Sequence, residues 1–305
     1  MTLSVLAPIA ITTAMLTSST VAENDYPAWA SGTTYALNAF CISPVTHRVY
    51  QSLMDGNVGH DPTDPNNQFG TPAYWLDYGP TNQWAMFDNE ASTQTTSASP
   101  LTVTLRPGVF TDFYLAGLSA TTTTITVKDA PGGNVIFNQT YTLESSKPAD
   151  YYNYFFDPFK PLTDLLVSGI DPYGLAEVTY SISNGTGAVK CGMVAIGTVK
   201  PLGATQYGAK AKPKTYSYIK TDDFGNTKIV RRKRATDMTA TSWIALSEAN
   251  DVLQTIRDLL DVPAVWIGVD LPEYGGLRCF GLGSAELSYD QPDYCQLSLT
   301  VQGLI

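Results

Sequence analysis

Two histidines, His47 and His60, stand in the whole chain, so a histidine-based triad or a multi-histidine metal centre has few candidates, and neither sits in a recognisable motif. No G-x-S-x-G elbow, phosphate-binding loop or dinucleotide fingerprint occurs. The loop His60-Asp61-Pro62-Thr63-Asp64-Pro65-Asn66-Asn67 offers carboxylate and amide oxygens for calcium, but it lacks EF-hand spacing, and its Asp-Pro and Pro-Asn pairs read as turns. Cys41, Cys191, Cys279 and Cys295 show neither C-x-x-C spacing nor a histidine partner, which argues against zinc. A Cys279–Cys295 bridge is conceivable, yet the apolar neighbours Phe280 and Leu297 favour buried thiols. Carboxylates for glycoside hydrolysis need only meet in space, and nothing nominates a pair. The expectation is therefore no catalytic residue, no metal, no cofactor and no enzymatic activity. What remains is recognition chemistry: aromatic rings between residues 26 and 78, and a run of positive charge at Arg231-Arg232-Lys233-Arg234.

The elements that must position these groups are mostly strands. Leu101–Leu105, Phe113–Leu118, Thr122–Val127, Asn134–Phe137 and Val178–Ile182 are short β-prone runs, and Ala130-Pro131-Gly132-Gly133-Asn134 reads as a hairpin turn between two of them. Regular spacing with Gly and Pro turns predicts a β-sandwich. One convincing amphipathic helix is predicted from Ser247 to Leu260. Ser247 can cap its first turn, Glu248 suits its positive end, and Ala249, Val252, Leu253, Ile256, Leu259 and Leu260 form one apolar stripe. Pro263 stops it. Ala264–Val269 suits a buried strand, and Cys279–Leu282, Ala285–Tyr289 and the alternating Gln296–Val301 read as further strands. The fold class expected is mainly β: β-sandwich domains, one amphipathic helix and a small aromatic-rich N-terminal β module.

Composition shifts divide the 305 residues. Residues 1–22 read as a retained arm: Leu3 to Leu16 is apolar, but no Lys or Arg leads it as in a secretory signal, and it is too short and polar for a membrane helix. The arm is expected to pack against another subunit. Residues 23–90 form the aromatic module, 91–99 a linker, 100–187 the sandwich, and 188–305 a β domain with the helix that serves oligomerisation. A net charge of −10 argues against nucleic acid as a general partner. Within that balance, Lys200 to Arg234 hold ten of the 18 Lys and Arg. The run 231–234, read as the end of a basic strand from Lys228, is expected to be solvated or to face a neighbouring subunit. Alternation along a strand splits it over two faces, although binding of a phosphate-rich surface stays open.

Tyr26-Pro27-Ala28-Trp29, Gly32, Tyr35, Val49-Tyr50 and Tyr74-Trp75-Leu76-Asp77 resemble, in order and spacing, the small chitin- and cellulose-binding modules of bacterial glycoside hydrolases. The likeness covers roughly one sixth of the chain. It implies sugar binding at Trp29, Tyr35, Tyr50 and Trp75, since the apolar face of a pyranose packs on a π surface. A domain this small also needs its aromatics for a core, so the structural role stands beside the sugar-binding one. Asn38 replaces a turn glycine of those modules, and Gln51-Ser52-Leu53-Met54 lacks their exposed aromatic pair.

The order of Arg231-Arg232-Lys233-Arg234, Trp243, Leu246-Ser247-Glu248-Ala249, the helix, Pro263-Ala264-Val265-Trp266 and the closing Leu297–Leu304 is similar to minor tail proteins of tailed bacteriophages, above all the distal-tail type. That resemblance implies a structural virion protein of the tail tip or baseplate, assembled in the host cytoplasm as a ring of copies of itself, a hexamer. Its further implied partners are other tail proteins and host-surface polysaccharide, with neither nucleic acid nor membrane. Arg231, Arg232, Lys233, Arg234, Leu253 and Ile256 are the expected interface residues. A carbohydrate-binding adhesin, a head–tail or collar protein and a cell-wall-degrading enzyme are the alternatives.

Overall fold

The computed structural model describes residues 1–88, 90, 93–144, 150–156, 161–221, 224–231, 234–289 and 291–304. Two strands open the chain, β1 (Thr2–Pro8) and β2 (Leu16–Ser19). The module follows with β3 (Phe40–Ser43), β4 (Arg48–Ser52), the one-turn helix α1 (Pro65–Phe69) and β5 (Trp75–Pro80). The central stretch supplies β6 (Thr95–Ala98), β7 (Leu101–Leu105), β8 (Asp112–Ala116), β9 (Thr122–Lys128), β10 (Val135–Thr142), the short α2 (Tyr151–Phe156), β11 (Asp164–Val167) and β12 (Glu177–Ser183). After β13 (Ala188–Cys191) come the long β14 (Met193–Thr205), β15 (Lys210–Thr215), the hairpin of β16 (Tyr218–Thr221) and β17 (Thr227–Val230), and β18 (Arg234–Ala245). Helix α3 (Ala249–Asp258) then precedes β19 (Ala264–Ile267), β20 (Arg278–Ser288) and β21 (Tyr294–Gly303).

The protein is mainly β, with a sandwich and a closed barrel sharing one sheet. A five-stranded sheet runs β10-β9-β12-β7-β2 and lays Leu101, Val103, Leu105, Ile125, Val127 and Tyr180 against Phe113, Leu115 and Ile196 of the facing strands β8 and β14. Strict alternation makes this possible: β7, β9 and β12 each bury every second residue. On their outer face the hydroxyls pair across strands, Thr102 with Ser181 and Thr104 with Thr179, both at 2.9 Å. The Thr and Ser abundance is thus a sheet-surface feature.

The larger sheet runs β11-β8-β14-β1-β19-β20-β21-β18-β15, and an additional pairing of β14 with β18 closes six of its strands into a barrel. At the seam Gly203 has φ 103° and lies so near Trp243 that a Cβ would stand 2.4 Å from its carbonyl oxygen. Only glycine fits both constraints. The interior is packed with Leu3, Val5, Met238, Trp266, Leu297, Leu299 and Val301, as expected of a small barrel. Burial of the Trp266 indole alone is worth about 5 kcal/mol. Its Nε1 donates to Gly281 O at 3.0 Å. On the sheet's other face Leu6, Tyr114, Met193, Val265 and Phe280 form a further core. There the curl brings Asp164 of β11 within 3.8 Å of Arg278 of β20.

Several expectations change. Residues 1–22 are not a peripheral arm: β1 is a central strand between β14 and β19, with Leu3, Val5 and Leu6 fully buried, and β2 edges the sandwich. Their apolarity serves this chain's own core. The 91–99 linker contains β6, paired with β13. Units 100–187 and 188–305 are not separate, because β8 and β11 join the barrel sheet and β14 belongs to both cores. Helix α3 is shorter than the predicted 247–260, and Ser247 does not cap it. Glu248 occupies the N-cap position without a side-chain bond, because the turn donating Glu248 N to Ala245 O and Ala249 N to Leu246 O leads straight into the helix. The two β segments expected at Cys279–Leu282 and Ala285–Tyr289 are one strand, β20. Among the described residues, no helix is long and apolar enough to cross a membrane.

Candidate functional site

The module is a three-stranded sheet, β3-β4-β5, over a core of Tyr35, Cys41, Tyr50 and Trp75. Three of the four aromatics expected to bind sugar are therefore interior: Tyr50 is 2% exposed, Trp75 1% and Tyr35 7%. Trp75 meets the Tyr35 ring edge-on at 5.1 Å and donates Nε1 to His60 O at 2.8 Å. Tyr35 OH accepts from Ala30 N, and Tyr50 OH bonds Thr46 Oγ1 at 3.0 Å. Trp29 is half-buried against the same core. A sheet this small has no other bulk with which to exclude water, so the rings that carry the sequence likeness fill it. Asn38 has φ 65°, the left-handed conformation that a glycine would supply and asparagine tolerates.

A different set of rings faces solvent. Tyr26 stacks on Phe40 at 4.9 Å and 21°, and Phe40 meets Tyr78 edge-on at 5.1 Å. Tyr78 is 64% exposed. Alternation places it there: Trp75 and Asp77 point to one side or are half-buried, while Leu76 and Tyr78 point out. Tyr26 and Tyr78 border a cleft of about 480 Å³ that also presents Asp25, Arg48, Asp77 and Asn82. Arg48 gives its Nε to Asp77, and its terminal amino groups have no partner among the described residues. Asp77 also accepts from Gly79 N, and Asp25 from Asn82 N. An apolar ring pair beside a donor and two carboxylates can hold a small polar ligand with one flat apolar face. In the sequence the signal is weak, because Tyr78 differs from the buried Trp75 only in strand phase and Tyr26 lies outside any strand.

The histidines serve structure. His47 bonds Glu23 through Nδ1 at 3.0 Å and Thr13 through Nε2 at 2.7 Å, and it stacks on Trp84 at 3.8 Å, tying the module to the body. In the loop considered for calcium, Asp61 accepts from Thr63 N and Asp64 caps α1. Among the described residues no three His, Cys, Asp or Glu gather as metal ligands. All four cysteines are free and buried, and burial pushes the Cys41, Cys191 and Cys279 thiols up to about 12.

Comparison with known proteins returns little. No family model matches, and no curated protein does. Among solved structures, the F5/8 type C domain of a Bacteroides fragilis protein aligns with 44% of this chain and 83% of its own length at 14% identity and a TM-score of 0.26. So loose a superposition carries no argument about fold or function.

The expected interface residues scatter. Ile256 is 4% exposed and packs with Val252 and Leu259 into the barrel core, while Leu253 is half-buried. The stripe is spent within its own chain, so an Asp at Ile256 would break the barrel and report nothing about assembly. The expected continuous basic strand from Lys228 to Arg234 is interrupted: β17 ends at Val230, Arg231 is exposed between strands, and β18 begins at Arg234. Arg232 and Lys233 lie outside the described residues. What the structure adds is the hairpin β16–β17 itself, which among the described residues forms a two-stranded sheet of its own. Every described side chain of β17 is exposed, Ile229 and Val230 included, and so is Tyr218 opposite Val230.

Proposed function

We propose that the protein is a structural component of a tailed-bacteriophage particle, placed at the tail tip or baseplate, and that it works by associating with copies of itself and with neighbouring virion proteins. The observation that carries this reading is the β16–β17 hairpin. A two-stranded hairpin is marginal in water without a face to bury. This one projects Tyr218, Ile229 and Val230 together with Lys220 and Lys228, all exposed, from a barrel that is already fully packed. Such a surface gains by being covered. The sequence likeness to distal-tail proteins supplies the setting, a ring around a tail axis, hexameric in that group.

The test is the particle and the purified chain together. The chain is expected in tail fractions, and the purified protein is expected to form discrete rings, seen by negative-stain imaging and by light scattering as concentration rises. A monomer at every concentration, absent from particles, overturns the reading.

A second reading, attachment to host polysaccharide, is favoured by the exposed Tyr26–Phe40–Tyr78 cluster beside its polar cleft. Replacing Tyr78 by Ala is expected to weaken retention on insoluble bacterial cell-wall polysaccharide about tenfold, the scale of one lost ring contact. Equal retention of the variant removes this reading.

A further inference from the structure

We infer that copies associate head to tail, the basic hairpin end of one barrel seating on an acidic, aromatic patch at the opposite end of the next; this rests on the assembly reading above. Strand β18 fixes the geometry. Its first residue, Arg234, pairs with Thr215 at the base of the hairpin, and its last, Ala245, pairs with Tyr294. Twelve residues of strand separate the two ends by about 36 Å. Surfaces at opposite ends of one barrel cannot satisfy each other within a chain, so any contact between them is intermolecular.

The two ends are opposite in charge. The hairpin end carries Lys212, Lys220 and Lys228, all exposed, and residues 210–234 hold nine basic side chains against two acidic ones, Asp222 and Asp223. Lys220 and Lys228 are direct cross-strand partners, an arrangement of like charges that disfavours the isolated hairpin and is relieved by an acidic surface. The far end supplies one. Glu248 and Asp251 flank the start of α3, and Asp293 lies beside them, its carbonyl accepting from Leu246 N at 3.0 Å. All three are exposed.

Apolar surface matches as well. Trp243 and Tyr294, on the barrel's outer face, border with Gln291 an open hollow of about 390 Å³, and Tyr294 directly follows Asp293. They would receive the exposed Tyr218 and Val230 of the incoming hairpin, cross-strand partners on the same hairpin face as Lys220 and Lys228. Because the two surfaces differ, the contact is heterologous, the type that closes into rings or extends into filaments.

Charge exchange tests it. In the hairpin variant Lys212, Lys220 and Lys228 become Glu; in the patch variant Glu248, Asp251 and Asp293 become Lys. Each alone is expected to weaken self-association of the full chain about tenfold or more, read by sedimentation velocity. An equimolar mixture of the two is expected to regain it, since the reversed hairpin now fits the reversed patch; rescue also shows that both variants fold. Should a reversal unfold the chain, the milder Lys→Gln and Glu/Asp→Gln/Asn sets read the same loss. Wild-type assembly matched by both variants, or a folded mixture that stays dissociated, overturns the head-to-tail contact while leaving assembly standing. A wild-type chain that never associates removes the assembly reading itself.

Discussion

At the scale of single residues, strand phase decides which aromatics can act. Trp75 and Tyr78 stand three apart on β5, yet one is core and the other is surface. The same logic makes Gly283 of β20 sensitive: a Cβ there would lie 2.1 Å from Cζ2 of Trp266. The indole is enclosed by the barrel and bonded through Nε1 to Gly281 O, so it has no room to yield. Gly283→Ala is therefore expected to cost about 3 kcal/mol, the upper range for overpacking, measured by denaturant titration. Loss of less than about 0.5 kcal/mol would mean that the barrel interior is looser than its contacts imply.

At the scale of elements, helix α3 does not fill the interface role that its sequence suggested. Helix α3 has the amphipathic stripe of an interface helix, but its apolar face completes the barrel core. No described side chain of the β16–β17 hairpin belongs to a core cluster. Replacing residues 218–230 by Asn-Gly is accordingly expected to leave the melting temperature within about 3 °C of the parent, because β15 and β18 still pair through Thr215 and Arg234. Self-association is expected to be lost. Ile256→Ala should do the reverse and destabilise the fold by about 2–4 kcal/mol, as deletions of buried methylenes do. A calorimetric scan of both variants separates the two roles.

At the scale of the whole molecule, stability depends on shared sheets and on buried thiols. Strand β14 contributes to the sandwich core and to the barrel, so the two are expected to unfold in one transition. Buried thiols of the module, the sandwich and the barrel bring a pH dependence. Cys41, Cys191 and Cys279 each have a usual value of 9.0 and are pushed up to about 12 by burial. Above pH 9 the unfolded chain's thiols ionise first, so the thiols' contribution is flat below pH 9 and falls as pH rises from 9 to 12, by about 1.4 kcal/mol per pH unit for each thiol. Denaturant midpoints measured across that range in reducing buffer give the slope. Substituting Ala for Cys191 removes one thiol's share of the slope, and an unchanged slope would assign the alkaline loss elsewhere.

Much of this was legible in the chain alone. Alternation at Leu101–Leu105, Thr122–Val127, Val178–Ile182 and Gln296–Val301 marks strands with one buried face, because period-two patterning is a local property. The apolar neighbours Phe280 and Leu297 likewise mark Cys279 and Cys295 as buried thiols, and the hairpin turn at 130–134 follows from its Pro and Gly. Tertiary structure alone decided the partners of those faces. An apolar run such as Leu3–Leu6 reads equally as a subunit-seeking arm or a central strand, and only its pairing with both β14 and β19 makes it the latter. The same limit applies to Tyr78 against Trp75 and to Ile256. Sequence specifies that a side chain will leave water, but which surface receives it depends on long-range pairing that no local pattern encodes.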